Sequence, residues 1–114
     1  MLSFQKLDVY RCSIEFLARS VSLPNVLPRG HAVLADQLRR ATLSVPLNIA
    51  EAAGRASVAD TARHFAIARG SAMECAAVMD AFLVLAVIDA VEHASAIDLL
   101  ERIVSMLTKL CRVA

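Results

Sequence analysis

The sequence predicts an all-α fold, an antiparallel up-down-up-down four-helix bundle formed by residues 1–114 as a single domain. Three observations predict it. Apolar residues recur at three- and four-residue spacing through four long segments. No segment alternates as a strand would, and no internal repeat is evident. The second and third connections are short, which suits helices that turn back on their predecessors.

Residues 5 to 22 read as helix one. Leu7, Tyr10, Ile14, Leu17 and Val21 form the seam expected against neighbouring helices. Asp8, Arg11, Glu15 and Arg19 form a water-facing stripe of alternating charge. The segment SLPNVLPRG, 22 to 30, breaks the helix with two prolines, an asparagine and a glycine, and is expected to be the longest and most mobile loop.

Helix two is predicted from about His31 to Ala53, with Gly54 placed to cap it. Pro46 removes the usual partner of the Thr42 carbonyl and costs on the order of 3 kcal/mol in a regular helix. A local kink is expected, with Ser44 or Thr42 satisfying the freed group. Ser57, with Asp60 three residues on, starts helix three, which is expected to reach about Val87. Its apolar residues fall on two faces. Phe65, Ala68, Ala72, Cys75, Met79, Phe82 and Ala86 line one; Ala62, Ala66, Met73, Ala77 and Val84 line the other. A helix so patterned is covered on most sides. Asp89 and Glu92 open helix four, which runs to about Arg112. Ile97, Leu100, Val104, Leu107 and Cys111, widened by Leu99, Ile103, Met106 and Leu110, give it a broad apolar face.

The chain is organised around residues 37 to 55, QLRRATLSVPLNIAEAAGR. At about 100° per residue, Gln37, Arg40, Ser44, Asn48, Glu51 and Arg55 share an arc of about 80°. Leu34, Leu38, Ala41, Val45, Ile49 and Ala52 fill the arc beside it; Leu43, Leu47 and Ala50 lie on the other side. A polar line with apolar surface on both flanks differs from a solvated helix face, which opposes one apolar stripe to one polar one. It reads as a partly buried line bonded across to another helix, because buried polar groups need partners. An ordinary exposed face with surface leucines is the alternative.

The hydrophobic fraction is 58% and the mean hydropathy +0.59, yet no run approaches the roughly 18 apolar residues of a membrane span. The N-terminal MLSFQKLDVY lacks the apolar block of a signal peptide. Surplus apolar surface without a membrane segment points to burial between subunits. The formal charge of +1 supplies no overall basic field. Nine Lys/Arg against five Asp/Glu in residues 1–69 give +4, and three against six in residues 70–114 give −3. Cys12, Cys75 and Cys111 are odd in number and sit at apolar helical positions, as reduced core thiols of a cytoplasmic protein would.

No catalytic, cofactor or metal motif is present. None of His31, His64 and His93 sits three residues after a glutamate, as bundle metal sites require, and each is expected at the surface or an interface. Phosphate loops, nucleophile elbows and Cys/His clusters are also lacking. Glu51 and Glu74 could pair as carboxylates, but Arg40 and Arg55 share the stripe and favour neutralising ion pairs inside the bundle.

The central stretch, together with GSAMEC at 70 to 75, resembles the four-helix-bundle proteins encoded in intervening sequences of bacterial 23S rRNA genes. These are similar in turn to the accessory variability proteins of diversity-generating retroelements. The pattern that carries the resemblance is Phe4, Leu7, Val9 and Tyr10, then Gln37 to Ala41, Ser44 to Glu51, Arg55, and Gly70, Ser71 and Glu74. It covers nearly the whole chain. Ala52 and Ala86 stand where the family commonly places glycine.

The resemblance implies a left-handed bundle assembled into a closed homo-oligomeric ring, commonly a pentamer, with no catalytic activity and no cofactor. The retroelement relatives are associated with RNA and a reverse transcriptase. Gln37, Arg40, Ser44, Asn48, Glu51, Arg55, Ser71 and Glu74 are the expected structural polar network, and Arg39, Arg63 and Arg69 the candidate contacts to nucleic acid. Two readings follow. One is a ring-forming adaptor that contacts RNA or a nucleic-acid-handling protein. The other is a self-assembling protein-interaction scaffold without nucleic acid. Neither involves a membrane or a small-molecule substrate.

Overall fold

Capping chemistry sets the helix boundaries. The computed structural model describes residues 1–23 and 30–113, which hold four α-helices and no strand. After a short 3-10 turn at Ser3–Lys6 come α1 (Asp8–Ser20), α2 (Ala32–Ala53), α3 (Val58–Val84) and α4 (Ala90–Val113). The proline-rich connection at 24–29 lies outside the described residues. Ser57 Oγ accepts the Asp60 N–H at 3.0 Å, and an Asp89 carboxylate oxygen accepts the Glu92 N–H at 2.7 Å. Each satisfies a donor that the first helical turn leaves open. Gly54 closes α2 in a right-handed conformation, its N–H bonded to the Ala50 and Glu51 carbonyls.

Each helix touches two others: α1 meets α2 and α4, and α3 meets α2 and α4, while the diagonal pairs stay apart among the described residues. The core they share is built on Leu38, Ile49, Met79, Phe82, Leu100, Ile103 and Leu107. Two polar contacts tie α1 to α4: Arg19 donates to the Ser95 hydroxyl at 2.6 Å, and Arg102 to the Cys12 sulfur at 3.6 Å. Phe4 meets Tyr10 edge to face with ring centres 5.0 Å apart, fixing the 3-10 turn on α1. No helix of the described residues is long and apolar enough to cross a membrane.

Helix α1 is rotated from the expected seam by about one residue, or about 100°. Val9, Cys12 and Phe16 are buried, with Ser13 and Ser20 beside them, whereas Ile14 is 39% and Val21 59% exposed. The serines can enter the core because each bonds its own helix, Ser13 Oγ donating to the Tyr10 carbonyl and Ser20 Oγ to that of Leu17. A back-bonded serine behaves as a small core residue.

Helix α2 continues through Pro46, which is buried. Its Thr42 hydroxyl donates to the Leu38 and Arg39 carbonyls instead of the carbonyl that the proline frees. Ser44 is engaged elsewhere.

Helix α3 ends at Val84, three residues earlier than the hydrophobic run suggests. The Val87 N–H reaches back to the Phe82 carbonyl at 2.9 Å and the Ala86 N–H to that of Leu83 at 3.1 Å, the paired bonds of a Schellman cap. That cap needs a left-handed residue, and Ala86 supplies it with φ of 58°. One apolar face of α3, from Phe65 to Phe82, is buried as expected. On the other, Ala66, Met73, Ala77 and Val84 are exposed.

Candidate functional site

The polar line of α2 meets α3 along one seam. Ser71 Oγ donates to Ser44 Oγ at 2.7 Å, and Asn48 Nδ2 donates to the Ser44 carbonyl at 2.9 Å and to Ser44 Oγ at 3.1 Å. Asn48 Oδ1 lies 3.1 Å from His64 Nδ1, and His64 Nε2 lies 3.2 Å from an Arg63 guanidinium nitrogen. These contacts select the amide orientation of Asn48 and the tautomer of His64. Two acceptors flank Asn48 Nδ2, so Oδ1 faces the imidazole, and an amide oxygen only accepts. His64 Nδ1 therefore carries the hydrogen, and Nε2 is free to accept from Arg63. The result is a continuous chain, Ser71–Ser44–Asn48–His64–Arg63.

Sequence reasoning missed His64, which is 8% exposed and not a surface residue. The signal was available. His64 precedes Ser71 by seven residues, two helical turns, so both lie on one line of α3. As α2 advances from Ser44 to Asn48, its partners on α3 recede from Ser71 to His64.

The remaining stripe residues do not join the chain. Glu51 and Arg55 pair with each other at 2.7 Å, on the surface and not inside the bundle. Gln37 and Glu74 line a shallow groove with Leu34, Ala77, Val78 and Ala81. Arg40 is exposed and makes no ion pair among the described residues. Of the arginines offered to nucleic acid, Arg39 bonds Asp36 at 2.8 Å and Arg63 sits 3.6 Å from Asp60; both pairs are exposed. Arg69 is partly exposed.

Both ring nitrogens of His64 are occupied by Asn48 and Arg63, and neither reaches a serine hydroxyl. Among the described residues no group of His, Cys, Asp and Glu side chains is gathered to hold a metal ion. Burial, aided by the charge of Glu74, pushes the Cys75 thiol up to about 12. That side chain is a core methyl-sized filler, protonated at any physiological pH.

The model of the 23S rRNA-intervening sequence protein family matches residues 5–109. The chain belongs to that family. A solved relative of this family member is a protein of unknown function from the S23 ribosomal protein family of Bacteroides thetaiotaomicron. The two superpose with a TM-score of 0.83 at 26% identity, over 90% of this chain and 97% of that one. Comparison with curated proteins gives no match.

Proposed function

We propose that this member of the 23S rRNA-intervening sequence protein family is a non-enzymatic, self-associating scaffold. Its four helices form an antiparallel up-down-up-down bundle, and copies of the bundle close into a ring, which the family resemblance makes a pentamer. The ring acts by holding other proteins, in the cytoplasm, without a small-molecule substrate.

The observation that carries this reading is the outer surface of α2 and α3. Leu43 is 47% exposed, Leu47 60% and Met73 52%. Ile67, Ala66, Ala77 and Val84 are exposed as well, so apolar side chains of both helices stand in water, and exposed apolar surface marks interaction sites. Gly70 supports it independently. A glycine inside a helix costs about 1 kcal/mol against alanine, and a Cβ at position 70 would meet nothing within 4 Å in the subunit. That open space leaves room for the backbone of a neighbouring copy.

The geometry gives less support to nucleic acid. Arg63 and Arg69 point about 120° apart around α3, and Arg39 is on a different helix and bonded to Asp36. Native mass measurement tests the scaffold: the reading requires an oligomer, and a well-folded monomer at high concentration refutes it. The family and relative carry ribosomal names, so a 23S rRNA fragment is the probe for the adaptor reading. Salt-sensitive binding lost when Arg39, Arg63 and Arg69 become glutamate would replace the protein-only scaffold with that adaptor.

A further inference from the structure

We infer that the subunits join head to tail, the exposed leucines of α2 in one copy entering the groove between α3 and α4 of the next. The inference rests on the self-association proposed above and specifies which two surfaces meet.

The two surfaces differ in shape. On α2, Leu43 and Leu47 are one turn apart and project from the helix as a pair of knobs. Between α3 and α4 runs a groove of about 320 Å³ lined by Met73, Ala76, Ile97, Leu100 and Val104, with Glu101 and Ser105 on its rim. Because α2 and α4 do not touch among the described residues, no subunit can bring its own knobs to its own groove. A second copy can.

Charge fits the same pairing. Arg40 lies one turn before Leu43 and is free of ion pairs among the described residues. Glu101 at the groove rim is likewise free among them. The knobs therefore carry a cation beside them and the groove an anion. On a larger scale, residues 1–69 hold a balance of +4 and residues 70–114 one of −3, so contact between the first part of one copy and the last part of the next is attractive. A twofold contact of knobs on knobs would bring Arg40 towards its own copy and leave the groove open. A contact between two different patches propagates, and it ends only by closing into a ring.

Complementation tests this. One variant carries Leu43→Asp and Leu47→Asp, which blunts the knobs; the other carries Met73→Asp and Glu101→Arg, which spoils the groove. All four positions are exposed, so both chains should keep their helical circular dichroism and cooperative melting. Each alone should be monomeric by native mass. Mixed, they should form a one-to-one heterodimer and nothing larger, since one good knob pair and one good groove remain. A mixture that stays monomeric, or a variant that still assembles alone, overturns the inference while leaving self-association standing. A monomeric parent chain overturns the scaffold reading itself. Should either variant unfold, the charge pair decides. Arg40→Glu should weaken association about tenfold at low salt, and adding Glu101→Arg on the same chain should restore it; failure to restore it counts against the contact.

Discussion

Ala86→Gly should stabilise the protein, although glycine usually weakens helical proteins. Ala86 holds the left-handed position of the cap that ends α3, with φ of 58°. An L-residue in that region costs about 1–2 kcal/mol, which glycine avoids. Glycine also loosens the unfolded chain, which cancels about 0.4–1 kcal/mol of the benefit. The net gain is about 0.5–1 kcal/mol. With an unfolding entropy of about 2.1 cal/mol/K per residue, that raises Tm by about 2–4 °C for a chain of this length. Thermal melts followed by circular dichroism read the shift, at one protein concentration because association also raises Tm. Ala94→Gly is the control. Ala94 is exposed within regular helix α4, where the same substitution should lower stability by about 0.5–1 kcal/mol. Two glycines with opposite signs isolate the backbone angle as the cause. If Ala86→Gly leaves Tm unchanged or lowers it while Ala94→Gly behaves as expected, residue 86 is not strained and the account of the cap is wrong.

Asn48→Leu removes the acceptor for His64 Nδ1 and the two bonds that the Asn48 amide donates to Ser44, and stranding groups of this kind costs about 1–3 kcal/mol. Urea denaturation should show the loss, and an unchanged midpoint and native mass would sink the polar seam. Gly70→Ala should stabilise the isolated helix by about 1 kcal/mol yet weaken assembly, measured by sedimentation across a dilution series. Glu51→Gln breaks an exposed pair worth about 0.2–1 kcal/mol, so its melting temperature should barely move. The Cys75 thiol is held from its ordinary 9.0 up to about 12, so above pH 9.0 the unfolded chain loses this proton before the folded one. Stability that is intact below pH 9.0 should therefore decline towards pH 12, and Cys75→Ala should show a shallower decline in denaturant titrations at each pH.

The parts of the fold legible in the sequence are those governed by one-dimensional spacing and local chemistry. Ser57 and Asp89 announced where α3 and α4 begin because a cap lies within three residues of what it caps. The rotation of α1 was not legible by the same means. The seam through Tyr10, Ile14 and Leu17 passes over Ser13 and Ser20, whose hydroxyls are satisfied within the helix and leave Phe16 to choose the core side. The end of α3 was hidden for a related reason. Ala81 to Ile88 is unbroken in hydrophobicity, and alanine at position 86 conceals a turn that glycine would have signalled.

The seam between α2 and α3 was half legible. Ser44, Asn48 and Ser71 stood out by residue type, but the bond from Asn48 to His64 depends on how two helices are offset, which no single helix encodes. The same two helices also carry exposed apolar positions. Ser44, Asn48, His64 and Ser71 are turned towards one another where the two helices meet. Facing outward, among the exposed charges of Asp36, Arg39, Arg40, Glu51, Arg63 and Glu74, are Leu43 and Leu47 on one helix and Ala66, Gly70, Met73 and Ala77 on the other. A lone subunit gains nothing from that distribution, because a solvated helix face is better filled by lysine and glutamate. Covering those apolar positions with a second copy would remove their contact with water, so the assembly state is the measurement on which the proposed scaffold turns.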